Sequence, residues 1–208
     1  MLRPFRERDV DRLVAWLDDE SALFDLAGAE LQYPLDRSQL ATFPASGTTA
    51  AHTLPFAAVR SAVCLDAMGH AALTEIDPRR RSVRLGRVVV GDRDLRGRGF
   101  GRAIVRRAAA VAFEKLEVNR VWACVPTDNT PALRCLESAG FTSEGVLREC
   151  AMRADAYVDC HTMSLLASEW EREQGTGHHT GPPRLSRRDP RPPSLPVDLA
   201  YRTFPKIR

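Results

Sequence analysis

Apolar and polar positions along the chain switch between a period of two and a period near 3.6, and the order of switching predicts a fold. A short apolar stretch, Leu2 to Phe5, reads as a strand. Asp9 then offers an N-cap, and Val10, Leu13, Val14 and Leu17 recur at helical spacing, which predicts a first helix. Helical or irregular segments follow through Ser21 to Thr42. Leu54 to Arg60, Gly69 to Ile76 and Ser82 to Val90 read as three strands, with Asp77-Pro78 turning the chain between the last two.

After Val90 comes a glycine- and arginine-rich turn, then a helix whose Ile104, Ala108, Val111 and Ala112 share one face. Val118 to Val125 is the next strand. Pro126 to Asn129 leads into a helix with Thr130 at the N-cap, Pro131 at its first turn and Gly140 just past its end. Phe141 to Cys150 and Val158 to Leu166 read as two closing strands. The expectation is an α/β (or α+β) class: one domain over residues 1–171, with a mixed central sheet of six to seven strands flanked by helices. Residues 172–208 form a tail that is rich in proline and arginine from Gly175 onward, and its composition predicts disorder.

Composition narrows the function classes. At 208 residues the chain fits one ordinary domain plus that tail. A net charge of +3 is too small and mixed to imply nucleic acid by itself. Within the tail, Arg184, Arg187, Arg188 and Arg191 alternate with prolines; they suit an acidic partner such as RNA, or simply keep the tail solvated. The five cysteines contain no C-x-x-C pair, and His178-His179 lack a second pair at ligand spacing, so no metal site is expected. No apolar run reaches membrane-spanning length, and the composition suits a reduced, cytoplasmic protein, monomeric or homodimeric.

The chemistry-bearing element is Val88-Val89-Val90 followed by Arg96-Gly97-Arg98-Gly99-Phe100-Gly101 at a helix start. Helix N-termini offer unpaired N–H donors and the positive end of the dipole, and glycines let phosphate oxygens approach the backbone. A P-loop is excluded because the loop holds no lysine, and a dinucleotide fingerprint is excluded because Arg102 and Ile104 stand where a third small residue is needed. A glycine-rich helix start with no ligand stays open on this loop alone.

The downstream run Asn129-Thr130-Pro131-Ala132-Leu133-Arg134-Cys135-Leu136-Glu137-Ser138-Ala139-Gly140-Phe141 adds specificity. Together with the upstream Arg-x-x-Gly-x-Gly, it resembles the paired motifs of the GNAT superfamily of acetyl-CoA-dependent N-acetyltransferases. Gly145-Val146-Leu147-Arg148-Glu149, Tyr157-Val158-Asp159, Ser164-Leu165-Leu166 and Glu169-Trp170 resemble the branch that includes the ribosomal-protein N-terminal acetyltransferases.

The resemblance implies acetyl-CoA as cosubstrate and direct attack by a primary amine, on a protein N-terminus or a small molecule. It further implies that main-chain groups at Val88, Val89 and Val90 bind the pantetheine arm as an added strand. Arg96, Gly97, Arg98, Gly99, Phe100 and Gly101 would surround the pyrophosphate, and Asn129 would bond the cofactor or cap its own helix. A base must take the ammonium proton, and Glu75, in the strand next to the one entering the loop, is the candidate; Glu144, Asp159, His70 and His161 are alternatives. Many members place a proton-donating tyrosine where this chain has Leu136, which leaves a non-catalytic acyl-CoA-binding module as the competing reading.

Overall fold

The computed structural model describes residues 1–40, 53–60 and 66–175. Seven strands form one sheet: β1 (Leu2–Pro4), β2 (Leu54–Val59), β3 (Ala67–Asp77), β4 (Ser82–Val90), β5 (Arg120–Pro126), β6 (Thr142–Arg153) and β7 (Ala156–Leu166). Their order is β1-β2-β3-β4-β5-β7-β6. The helices are α1 (Val10–Trp16), α2 (Glu20–Ala27), α3 (Arg37–Leu40), α4 (Phe100–Lys115), α5 (Thr130–Ser138) and α6 (Ala167–Glu173).

Neighbouring strands run antiparallel except β4 and β5, which are parallel and joined by α4 as a crossover. The helices cover both faces. On one, Ile104, Val105, Ala108, Ala109 and Ala112 of α4 meet Leu73, Val83, Leu85, Val121 and Leu165 of the sheet. Their i, i+4 spacing makes a single stripe, and the alanines let the helix axis approach the strands closely. On the other face, Leu13, Leu17, Leu23 and Leu26 of the first helices pack over Phe5, Ala57 and Ala67.

Most predicted elements appear within two residues of their expected bounds, and the departures have local causes. Asp9 occupies the position before α1 but caps nothing there: its carboxylate takes two 2.6 Å hydrogen bonds from buried Arg3 and one from the Arg6 N–H. The cap of α5 is Asn129 rather than Thr130, because the Asn129 side-chain oxygen accepts the Ala132 N–H at 3.1 Å. β5 begins at Arg120 rather than Val118, since the Asn119 and Arg120 N–H groups both bond the Arg81 carbonyl. β6 and β7 run on past their expected ends to meet in a hairpin turned at Ala154-Asp155. The tail from residue 176, with His178, His179 and its arginines, lies outside the described residues.

Candidate functional site

β4 and β5 pair only through Ser82, Val83 and Arg84 opposite Arg120, Val121 and Trp122. Beyond Trp122, β5 continues against β7 as far as Pro126, while β4 continues against β3 as far as Val90. The two parallel strands therefore diverge, and among the described residues the β4 edge from Leu85 to Val90 that faces β5 has no strand beside it.

A bulge in β4 drives the divergence. His70 pairs with Val89 but Ala72 pairs with Gly86, so β4 carries one extra residue, with Arg87 at φ 54. Two features of β3 hold the bulge. The buried His70 ring bonds the Arg87 carbonyl through Nδ1 at 2.8 Å, which requires the proton on Nδ1. Gly69 admits the close approach, since a Cβ there would lie 2.5 Å from the Val89 carbonyl oxygen. Side chains at the bulge alternate, with Val88 and Val90 toward α4 and Val89 toward α1 and α2.

The glycine loop closes one end of the opening. Gly97 and Gly99 both adopt positive φ, 72° and 83°, and a Cβ built on either would meet no atom within 4 Å. The first helical bond of α4 runs from Ala103 N–H to the Gly99 carbonyl, leaving first-turn N–H groups ahead of it as donors. Gly101 stands where α4, α5 and β4 converge, 3.1 Å from Cys135 Sγ and 3.7 Å from Val90 Cγ2 measured from its would-be Cβ. Arg98 and Phe100 are exposed, whereas Arg96 folds back and donates from Nε to the Val90 carbonyl at 3.1 Å. An open glycine cradle, helix-start donors and an unpaired strand edge fit a pyrophosphate joined to an amide-bearing arm.

Glu75 is not brought to this opening. It sits beyond the Thr74–Arg84 pair at the closed end, bonded to Arg84 at 2.8 Å, and His70, the partner of Val89, is five residues away along β3. Ala72, the partner of Gly86 at the near end of the bulge, is three residues away, so at the rise of a strand Glu75 stands roughly 10–17 Å from the bulge, too far for direct proton transfer. Glu144 is held ionised: two bonds from Arg120, at 2.6 and 2.5 Å, and one from Ser164 push its carboxyl down to about 2. Burial lowers His70 to about 4 and shuts it off from solvent. Asp159 accepts the Glu149 N–H, and His161 meets Ser143 Oγ at 3.5 Å.

Across the mouth lies a cluster that the sequence patterns did not single out. Helix α2 packs on β4, and its Asp25 reaches Asn129 and Arg153 at the end of β5 and the β6–β7 hairpin. Arg153 bonds Asp128 at 2.5 and 3.2 Å, approaches Asp25 at 3.4 Å, and lies 4.6 Å from the centre of the Phe24 ring. Burial raises the Asp25 carboxyl above its ordinary value, while Arg153 lowers that of Asp128. A cation between two carboxylates and over an aromatic face is the environment a substrate ammonium needs. Leu136 is buried in α5 and offers no proton.

Residues 1–142 match the family model described as the acetyltransferase (GNAT) domain. The candidate ribosomal N-acetyltransferase YdaF of Bacillus subtilis is 31% identical over 106 residues, 51% of this chain and 57% of that protein. The L-amino acid N-acetyltransferase AaaT of Escherichia coli is 31% identical over 100 residues, 48% of this chain and 61% of its own length. The chain thus spans somewhat over half the length of these curated relatives. The crystal structure of spermidine N-acetyltransferase from Vibrio cholerae, in complex with CoA and spermine, superposes with a TM-score of 0.68. That likeness, at 21% identity, covers 82% of this chain and 96% of that one and concerns the fold.

Proposed function

The chain belongs to the GNAT acetyltransferase family, and on that premise we propose that it transfers an acetyl group from acetyl-CoA to a primary amine by direct attack. The observation that carries the proposal is the unpaired β4 edge running into a glycine cradle at the start of α4. Main-chain groups of Val88, Val89 and Val90 would hold the pantetheine arm. Arg98, the glycines and the first-turn N–H groups of α4 would hold the pyrophosphate, and Arg96 would pin the loop to Val90. Bound acetyl-CoA supplies the activated acyl group, and a main-chain N–H at the bulge would meet the charge that develops on its carbonyl oxygen.

The amine arrives as an ammonium and must lose a proton. Asp25 is the group this geometry favours: it spans the mouth from α2 to Asn129, and burial raises its pKa toward that of a useful base. Asp25, Asp128 and Phe24 would also attract a cationic acceptor, in exchange for Arg153. Relatives are named for ribosomal, amino-acid and polyamine substrates, and an acidic mouth is compatible with each of these amines.

Leu136 supports a second reading, a module that binds acyl-CoA without turnover, because the departing thiolate would have to take its proton from water or substrate. Thermal stabilisation by acetyl-CoA, followed in the same samples by thiol release over a panel of amines and N-terminal peptides, separates the two. Stabilisation with turnover supports the transferase, stabilisation alone supports the module, and no stabilisation refutes the cofactor site. Asp25→Asn should lower turnover by about 10²–10⁴-fold and flatten the pH profile, whereas Glu75→Gln should leave both unchanged.

A further inference from the structure

Three cysteines far apart in sequence meet in space. Cys124 of β5, Cys150 of β6 and Cys160 of β7 carry Sγ atoms all within 4.8 Å of one another, and all three are free thiols. They lie on the sheet face away from α4: Val121, Ala123 and Val125 point into the core beneath that helix, and the intervening Cys124 points the other way. Cys160 faces the same side, pairing with Pro126 while Cys124 pairs with Thr162.

Cys150 reaches this face through an irregular backbone. Between Leu147–Cys160 and Ala151–Val158 the register slips by two residues, with Glu149 at φ 50 and its N–H held by Asp159 at 2.7 Å. A left-handed glutamate is unfavourable, and its effect here is to turn a third thiol toward the other two.

Thr162 Oγ1, directly opposite Cys124, is buried with no hydrogen-bond partner, and so is Arg153 Nε, whose side chain is an electrostatic neighbour of Cys160. Arg84 is an electrostatic neighbour of Cys124. Both guanidiniums already pair with carboxylates, Arg84 with Glu75 and Arg153 with Asp128 and Asp25, but the two idle donors, Thr162 Oγ1 and Arg153 Nε, beside three thiols would be matched by thiolates.

We propose that Cys124, Cys150 and Cys160 form a thiolate site for a soft, zinc-type divalent ion. Binding makes three Zn–S bonds, releases three protons to solvent and turns the +2 ion into a centre of charge −1. Tetrahedral thiolates on zinc stand about 3.8 Å apart, so sulfurs that lie within 4.8 Å of one another would close by about 1 Å or less. Cys160 is buried and Cys150 exposed, which leaves a solvent-facing position for water as fourth ligand. Thr162 would donate to a thiolate and tune the affinity. The site ties β5, β7 and β6 together and does not depend on acetyl-CoA.

The test titrates the reduced full chain with Co²⁺ and then Zn²⁺. One equivalent of Co²⁺ should produce thiolate-to-cobalt charge-transfer absorption and tetrahedral visible bands that Zn²⁺ abolishes. Cys150→Ser and Cys160→Ser should lose them, Cys135→Ser should keep them, and Thr162→Val should weaken affinity about 10–100-fold. Zinc on the unmutated protein should also protect Cys150 from alkylation, read by mass spectrometry, which covers the case of a serine variant that fails to fold. A cobalt spectrum without thiolate bands, no protection of Cys150, or a disulfide forming among the three under the same reducing conditions would overturn the proposal.

Discussion

His70 makes the stability of the fold depend on pH in a defined window. The ring is fully buried, edge-on to Phe5 at 5.1 Å, and bonded to the Arg87 carbonyl that forms the β4 bulge. Desolvation lowers its pKa from 6.5 to about 4, against a smaller rise from that hydrogen bond. Because the folded value is depressed, the neutral ring's full contribution is present above the unfolded pKa. It declines as the pH falls below 6.5 and is exhausted near pH 4. With those two values, linkage gives a loss of about 2 kcal/mol at pH 5 and about 3 kcal/mol below pH 4. For a chain of this size that is a fall in Tm of roughly 4–8 °C between pH 7.5 and pH 5. Urea unfolding at the two pH values, with His70→Gln beside the unmutated protein, measures it. Glutamine keeps a donor for the Arg87 carbonyl but does not titrate, so its midpoint should change much less across that interval. An equal fall in both proteins would show that other groups carry the effect and that His70 is not buried neutral.

Gly99→Val should cost about 1–2 kcal/mol for its left-handed backbone and melt cooperatively, yet lose stabilisation by acetyl-CoA; retained binding would remove the glycine cradle from the site. Gly91→Ala would place a Cβ 2.0 Å from Trp16 Cε2, so urea unfolding should show a loss of about 1–3 kcal/mol, with a change in indole fluorescence. Glu144→Gln should remove a stabilisation that is present above pH 4.5 and lost as pH falls toward 2. At this half-exposed pair it should amount to about 1 kcal/mol or less, read from acid unfolding curves.

The parts of this fold that local periodicity dictates were legible in the sequence. The alanine-lined face of α4, the strand Ser82–Val90 and the glycine loop all follow from spacing within one segment. The residues that were not legible owe their roles to distant partners. Asp9 looks like a cap until Arg3 is found 2.6 Å away, and Glu75 looks well placed until register puts it at the closed end of the strand pair. Asp25, Asp128 and Arg153 share no sequence window, and neither do Cys124, Cys150 and Cys160. The cysteines are assembled by strand order β5-β7-β6, and the Asp25 set by the β6–β7 hairpin, whose turn the sequence did not mark, meeting helix α2.

The opening between β4 and β5 is stable without a ligand for a physical reason. Unpaired backbone groups are costly when buried, at about 1–3 kcal/mol each, and an abandoned strand edge would destabilise the fold if it were dry. From Gly86 to Val90 every residue is only partly buried, so water, with Arg96 at the Val90 carbonyl, can satisfy that edge in the free protein. An arm bearing amides would exchange those waters for protein bonds at a net gain of only about 0.5–1.5 kcal/mol apiece. Tight binding must therefore draw most of its free energy from elsewhere, and on the proposed reading the glycine loop at Gly97–Gly99 with the exposed Arg98 supplies it by holding the phosphates. It follows that raised salt should weaken acetyl-CoA far more than a pantetheine fragment lacking phosphates. Equal salt dependence for the two would mean that the loop is not where the pyrophosphate sits.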